Sequence, residues 1–384
     1  MPFLLPVLLL LLLLSSCSSD IVRPNELSPL VGKVSIKKNW QQQVGQGLGS
    51  TYRVMPPVRA GDAVYANDIA GNVFAFDANS GDLLWKQVLG FDTAAGVGVG
   101  DGAVLVASLE GDVVQLNADT GEVLWRTNIS SEILAPPQTN GVVAVVQTND
   151  GKLVGFDAKS GEQRWDFNIT LPALTLRGTA TPLLFGDNLV TGFANGKLMA
   201  FSASEGTLYW ERRIARPQGR SDIERVVDID GQAVIAGSSL YATSYNGSLS
   251  ALSPTGTILW SQALSSYGSP VVIEGRIFVS TDDGVLRAFD AKSGAPLWEN
   301  SSLFRRKLSA PQNLNGFVVV ADYEGYLHVF DSESGAIISR QQIDSAGVRS
   351  PMVTAEDALY VLGNNGVLAA LEVRLLDPEK LPQL

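Results

Sequence analysis

VSIKKNWQQQVG (34–45) holds a tryptophan, Trp40, that no local pattern explains. The other six tryptophans each close one copy of a repeated unit, and Trp40 precedes the first copy. Its place depends on what those six share.

GNVFAFDANSGDLLW (71–85) recurs as GDVVQLNADTGEVLW (111–125), GKLVGFDAKSGEQRW (151–165) and GKLMAFSASEGTLYW (196–210). It continues as GSLSALSPTGTILW (247–260) and GVLRAFDAKSGAPLW (284–298). GYLHVFDSESGAIIS (325–339) has Ser339 in the tryptophan position, and GVLAALEV (366–373) stops before its turn. The eight leading glycines, Gly71 to Gly366, are 37 to 51 residues apart, a period that marks a repeat architecture. Each unit reads as a strand, a tight Asp-to-Gly turn such as 77–81, and a return strand ending in tryptophan. Upstream, Pro57, Pro137, Pro182, Pro270, Pro311 and Pro351 open a further strand, where a missing N–H does least harm. Four short strands per unit without helical periodicity predict an all-β, eight-bladed propeller of antiparallel four-stranded blades. The last unit lacks its outer strand, and the segment around Trp40 is an outer strand without a blade. Together they make one blade, so the N-terminal strand closes the ring.

On this reading Trp40, Trp85, Trp125, Trp165, Trp210, Trp260 and Trp298 are docking residues between blades, each with a large area to bury. The carboxylates Asp77, Asp157, Asp290 and Asp331 recur at one turn and are turn formers. His328, the only histidine, aligns with Phe74, Met199 and Arg287, and is expected at a solvated rim. FRRK (304–307) reads as a solvated basic loop, and GQGLGS (45–50) and GVGVGDG (96–102) as loops between strands. One histidine and one cysteine leave no usual zinc set and no histidine-based triad. No enzyme, cofactor or metal site is expected.

The chain begins MPFLLPVLLLLLLLSSCSSD, with an apolar run too short to span a bilayer. It reads as a secretory leader, although no Lys or Arg precedes the run. Leu14-Ser15-Ser16-Cys17 resembles a bacterial lipobox, which implies acylation of Cys17, the only cysteine. Ser18 after it implies sorting to the outer membrane, on the periplasmic face. The expected organisation is a leader over 1–16, an acylated cysteine and flexible tether over 17–34, a propeller over 35–374 and a tail over 375–384. With 39 acidic against 28 basic residues, net −11, the body would be repelled by nucleic acid and by anionic lipid. The membrane is therefore reached through the lipid anchor alone.

Two connections between units are long. One, NITLPALTLRGTATP (168–182), offers Leu171, Leu174 and Leu176 beside Arg177. The other, ARPQGRSDIERVVDIDG (215–231), carries charge of both signs. Connections of this type emerge on one face, so the two should be neighbours and form an interaction patch.

The tryptophan repeat resembles that of quinoprotein dehydrogenases, which implies the fold; the cysteine pair that flanks the quinone in those enzymes is missing here. From Cys17 to about Glu372 the chain also resembles the BamB family of outer-membrane β-barrel assembly lipoproteins, most specifically in LTLRG and VVDIDG. That resemblance implies a non-enzymatic scaffold that docks on the periplasmic POTRA domains of a BamA-like barrel-inserting protein and helps deliver unfolded outer-membrane proteins. It implies partner contacts at Leu174, Leu176, Arg177, Asp228 and Asp230. The alternatives are a quinone-binding enzyme, or a periplasmic holdase that pairs unfolded strands with its blade edges.

Overall fold

The structure, a computed structural model, describes residues 23–30, 32–49, 53–176 and 178–376. The leader, Cys17, Arg177 and the tail from 377 onward lie outside the described residues. Eight sheets of four antiparallel strands form a ring. Blades one to seven span 58–88, 98–128, 138–168, 183–213, 234–264, 271–300 and 312–342. Blade eight combines 353–375 with the N-terminal strand Val34–Gln43. The innermost strand of blade one, Val58–Ala60, meets those of blades two and eight, which closes the circle.

Burial follows from this stacking. The second strand of a blade, such as Ala63–Asn67 or Ala103–Ala107, is buried at every residue because neighbouring blades cover both its faces. Outer strands such as Leu83–Val88 are mostly exposed. Within a blade the chain runs up and down, so the two faces of the ring differ. One face carries the connections between blades and the turns between second and third strands. The opposite face carries the Asp-to-Gly turns between third and outer strands.

Those turns take the expected form: the Asp77 carboxylate accepts the N–H groups of Asn79 and Ser80, and Gly81 has φ 77°. Each tryptophan ring lies on the turn glycine of the next blade and donates its indole N–H to a turn carbonyl. Trp85 donates to Ala118 at 2.8 Å, Trp165 to Ala203 at 2.9 Å and Trp298 to Ser332 at 3.1 Å. Trp40 pairs with Ala370 across the last blade. It has the same one-residue bulge in front of it as Trp85 opposite Ala75. Ser339 faces Val329 in the equivalent register. Beyond it, where a turn of blade eight would lie, the chain instead enters through Gly32 and Lys33, and Lys33 N–H donates to the Ile338 carbonyl. Blade eight has no such turn because its third and outer strands belong to opposite ends of the chain. A tryptophan at 339 would have no turn to dock on.

Three readings of the sequence are corrected. Gly98–Gly100 is the innermost strand of blade two rather than a loop. A Cβ at Gly98 would stand 1.6 Å from the Pro137 carbonyl oxygen, so only glycine lets these inner strands approach so closely. His328 is fully buried, with Nε2 3.0 Å from Asp322 Oδ2 and Nδ1 accepting from Arg340 Nε at 3.2 Å. Arg306 of the basic run is buried too, paired at 2.7 Å with Asp322 and also with Glu324. The Arg306 charge goes inside because carboxylates pair with it there, and the His328 ring because both its nitrogens are hydrogen-bonded.

Candidate docking face

The connection from blade three to blade four covers 169–182 and the next one covers 214–233. Both leave outer strands, so both lie on the connection face. In the first, Leu171 turns inward and packs with Leu153, Leu189 and Phe201. Leu174 and Leu176 point outward, 44% and 38% exposed. The loop thus spends one leucine on the blade edge and offers two to solvent.

The second connection is anchored at both ends. Ile214 and Ala215 are buried at its start, and Val226, Val227, Asp228 and Ile229 at its finish. Between them Glu224 accepts the N–H groups of Arg220 and Ser221, which shapes an exposed turn with Ile223 at its tip, 76% exposed. Asp228 is fixed from both sides: its carbonyl accepts from Tyr245 N–H at 2.8 Å and its carboxylate from Ile229 N–H at 2.9 Å.

The two connections touch as expected. The Asp228 carboxylate also accepts the backbone N–H of Leu176. Gly178 lies so close to the Asp230 carboxyl that a Cβ there would come 1.9 Å from Oδ1. Burial pushes the Asp228 carboxyl up to about 7, against an ordinary 3.8. Burial and the facing Asp228 charge push Asp230 well above the ordinary range as well. Asp228 is buried and Asp230 only partly accessible, so on the described residues they hold the leucine loop in place more than they present charge. The cavity behind the loop, lined by Leu171, Thr179 and Asp228, is about 10 Å³, enough for a single water.

Sequence reading missed two features of this face. Ile223 is one; its apolar character is hidden in a charged run. The other is a stacked pair, Tyr245 and Tyr267, with ring centroids 5.0 Å apart and Tyr267 45% exposed. These tyrosines fall in different loops of blade five and its exit, so no motif joins them.

The chain matches the family model described as outer membrane protein assembly factor BamB over residues 69–300 and 282–375. It belongs to the BamB family. The BamB of Pseudomonas aeruginosa is 47% identical over 372 residues, covering 96% of this chain and 98% of that one. The BamB of Escherichia coli is 31% identical over 384 residues, covering 96% of this chain and 98% of that one. The crystal structure of BamB from Moraxella catarrhalis superposes with a TM-score of 0.81 at 27% identity, over 88% of this chain and all of that one (100%). Quinohemoprotein alcohol dehydrogenase from Comamonas testosteroni matches at a TM-score of 0.69 and 13% identity, over 88% of this chain and 76% of that one. At that identity the likeness is one of fold, shared by BamB and the dehydrogenase.

Proposed function

We propose that this chain is a non-enzymatic scaffold lipoprotein of an outer membrane protein assembly complex. It is acylated at Cys17 after removal of a leader over 1–16, and it is held at the periplasmic face of the outer membrane. Its connection face docks on the periplasmic POTRA domains of a BamA-like barrel-inserting protein and so assists the folding and insertion of outer-membrane β-barrels. The observation that carries this reading is the contact between the two long connections. Leu174 and Leu176 are offered to solvent on a loop whose backbone is pinned by a buried carboxylate. Apolar anchors held rigidly lose little entropy on binding, which is how a few residues come to dominate an interface. The names of the relatives support the same role.

The test is a detergent pull-down of the tagged full chain from envelope membranes. The barrel-inserting protein is expected with the wild type, and the yield should fall at least about tenfold with Leu174→Glu or Arg177→Asp. Equal recovery with both variants would remove the loop from the interface. Quinone uptake by the purified protein would favour the enzyme reading, and binding of unfolded barrel chains without the partner would favour a holdase.

A further inference from the structure

We propose that residues 23–30 and 32–33 form a strap fastened along the rim between blades six and seven. The strap brings the lipid-bearing end of the chain out on the connection face. The second half of this statement rests on the lipoprotein reading above; the first does not.

The strap is held at three places. At its start, Asn25 N–H donates to the Phe304 carbonyl at 3.0 Å, and its side-chain amide reaches the carbonyls of Ser301 and Ser302. In return Arg306 Nη1 donates to the Asn25 carbonyl at 3.1 Å. Midway, Arg340 Nη1 donates to the Ser28 carbonyl at 3.0 Å, and Leu27 packs on the cluster of Leu303, Phe278 and Phe330. At its end Lys33 N–H reaches the Ile338 carbonyl, beside the Ser339 that replaces a tryptophan. The two arginines that grip it are themselves set by buried groups: Asp322 holds Arg306, and His328 holds Arg340. Here the buried histidine network has a structural use, since it aims two guanidinium groups outward at backbone carbonyls. Between strap and blade a crevice of about 430 Å³ remains, lined by Leu27, Pro29, Tyr326 and Arg340. The strap is therefore fastened at points rather than packed along its length.

Its direction has a consequence. Residues 301–304 belong to the connection from blade six to blade seven, on the connection face. Ile338 lies at the start of an outer strand, on the opposite face. The strap thus runs from one face to the other, and its upstream end, Arg23, emerges on the face that carries Leu174 and Leu176. Cys17 is six residues further, an extended reach of about 20 Å. Anchor and docking loops then share a face, separated around the ring by roughly a quarter to three-eighths of a turn, counting eight equal blades. The propeller is held with its connection face toward the bilayer at the blade six to seven edge.

Two measurements on the full-length lipoprotein test this. In hydrogen exchange, the backbone amide of residue 25, which donates to the Phe304 carbonyl, should exchange at least about tenfold more slowly than unstructured chain, and Asn25→Ala with Leu27→Asp should abolish that protection. Both substitutions lie on the strap, so the propeller keeps its own contacts. Exchange at the unstructured rate in the wild type, or protection unchanged in the double variant, overturns the strap. In phosphatidylethanolamine–phosphatidylglycerol vesicles with headgroup nitroxides, a fluorophore at Lys307→Cys should be quenched. One at Lys159→Cys, on the opposite face of blade three, should not. Equal quenching overturns the orientation. A chain that takes up no palmitate and fails to float with vesicles overturns the membrane half and the lipoprotein reading together, while exchange still decides the docking.

Discussion

Trp40 donates its indole N–H to the carbonyl of Ala78 at 2.8 Å, so the strand before the first blade grips the turn of that blade. The ring also rests against Tyr360 of the last blade, with centroids 5.9 Å apart. One side chain therefore ties both ends of the chain to blade one. Trp40→Ala should cost about 3–5 kcal/mol in urea unfolding, the range for emptying a large buried aromatic site. Ser339→Trp, by contrast, should not stabilise, because Gly32 and Lys33 lie where the missing turn would be. A gain from that substitution would contradict the explanation for the seventh blade's serine.

Gly98→Ala tests the inner ring. The added methyl meets the Pro137 carbonyl, and the inner strands of blades two and three would have to part. A loss of about 1–3 kcal/mol is expected from overpacking, read as a lower urea midpoint. An unchanged midpoint would mean that the inner ring has slack.

Asp228 gives a dependence on pH with a definite sign. Its folded-state carboxyl sits at about 7, above its ordinary 3.8, so the folded protein binds the extra proton between those values. Its contribution is therefore complete below about 3.8, falls as pH rises through that interval, and is lost and constant above about 7. Asp228→Asn keeps an acceptor for the Ile229 and Leu176 N–H groups without the buried charge. The variant should melt higher than the wild type at pH 8, and the difference should shrink by pH 5. A constant difference across that range would show that Asp228 is not the group titrating.

His328 acts in the other direction. Burial holds its pKa below the ordinary 6.5, with Asp322 opposing the shift and Arg340 and Arg306 adding to it. Its neutral-state contribution is complete above about 6.5 and is lost as pH falls through the lowered folded value. Thermal melts from pH 8 to 5 should show a smaller acid loss in His328→Gln than in the wild type. Asp322 is also held below its ordinary value, so its contribution falls away only under stronger acid.

The repeat made the fold legible because glycine and tryptophan recur where geometry admits little else: a positive φ, and a ring that must meet a turn. The closing strand was readable for the same reason, through one misplaced tryptophan. His328 was not, since Phe74, Met199 and Arg287 fill the same position and its partners are Asp322 in the turn before its strand and Arg340 in the neighbouring strand. The strap has no repeat partner and bonds mainly through backbone carbonyls, which leave no mark in a sequence. At the docking face Leu174 and Leu176 were legible as apolar residues in an unusually long connection, whereas the inward turn of Leu171 and the burial of Asp228 depend on how the loops fold.

Calorimetric titration with the purified periplasmic domains of the barrel-inserting partner addresses the docking claim most directly. Leu174→Glu, on the connection face, should weaken binding at least about tenfold, and Lys159→Glu, on the turn face, should leave it unchanged. Undiminished binding by Leu174→Glu, or its loss in Lys159→Glu, would put the partner on the wrong side of the ring.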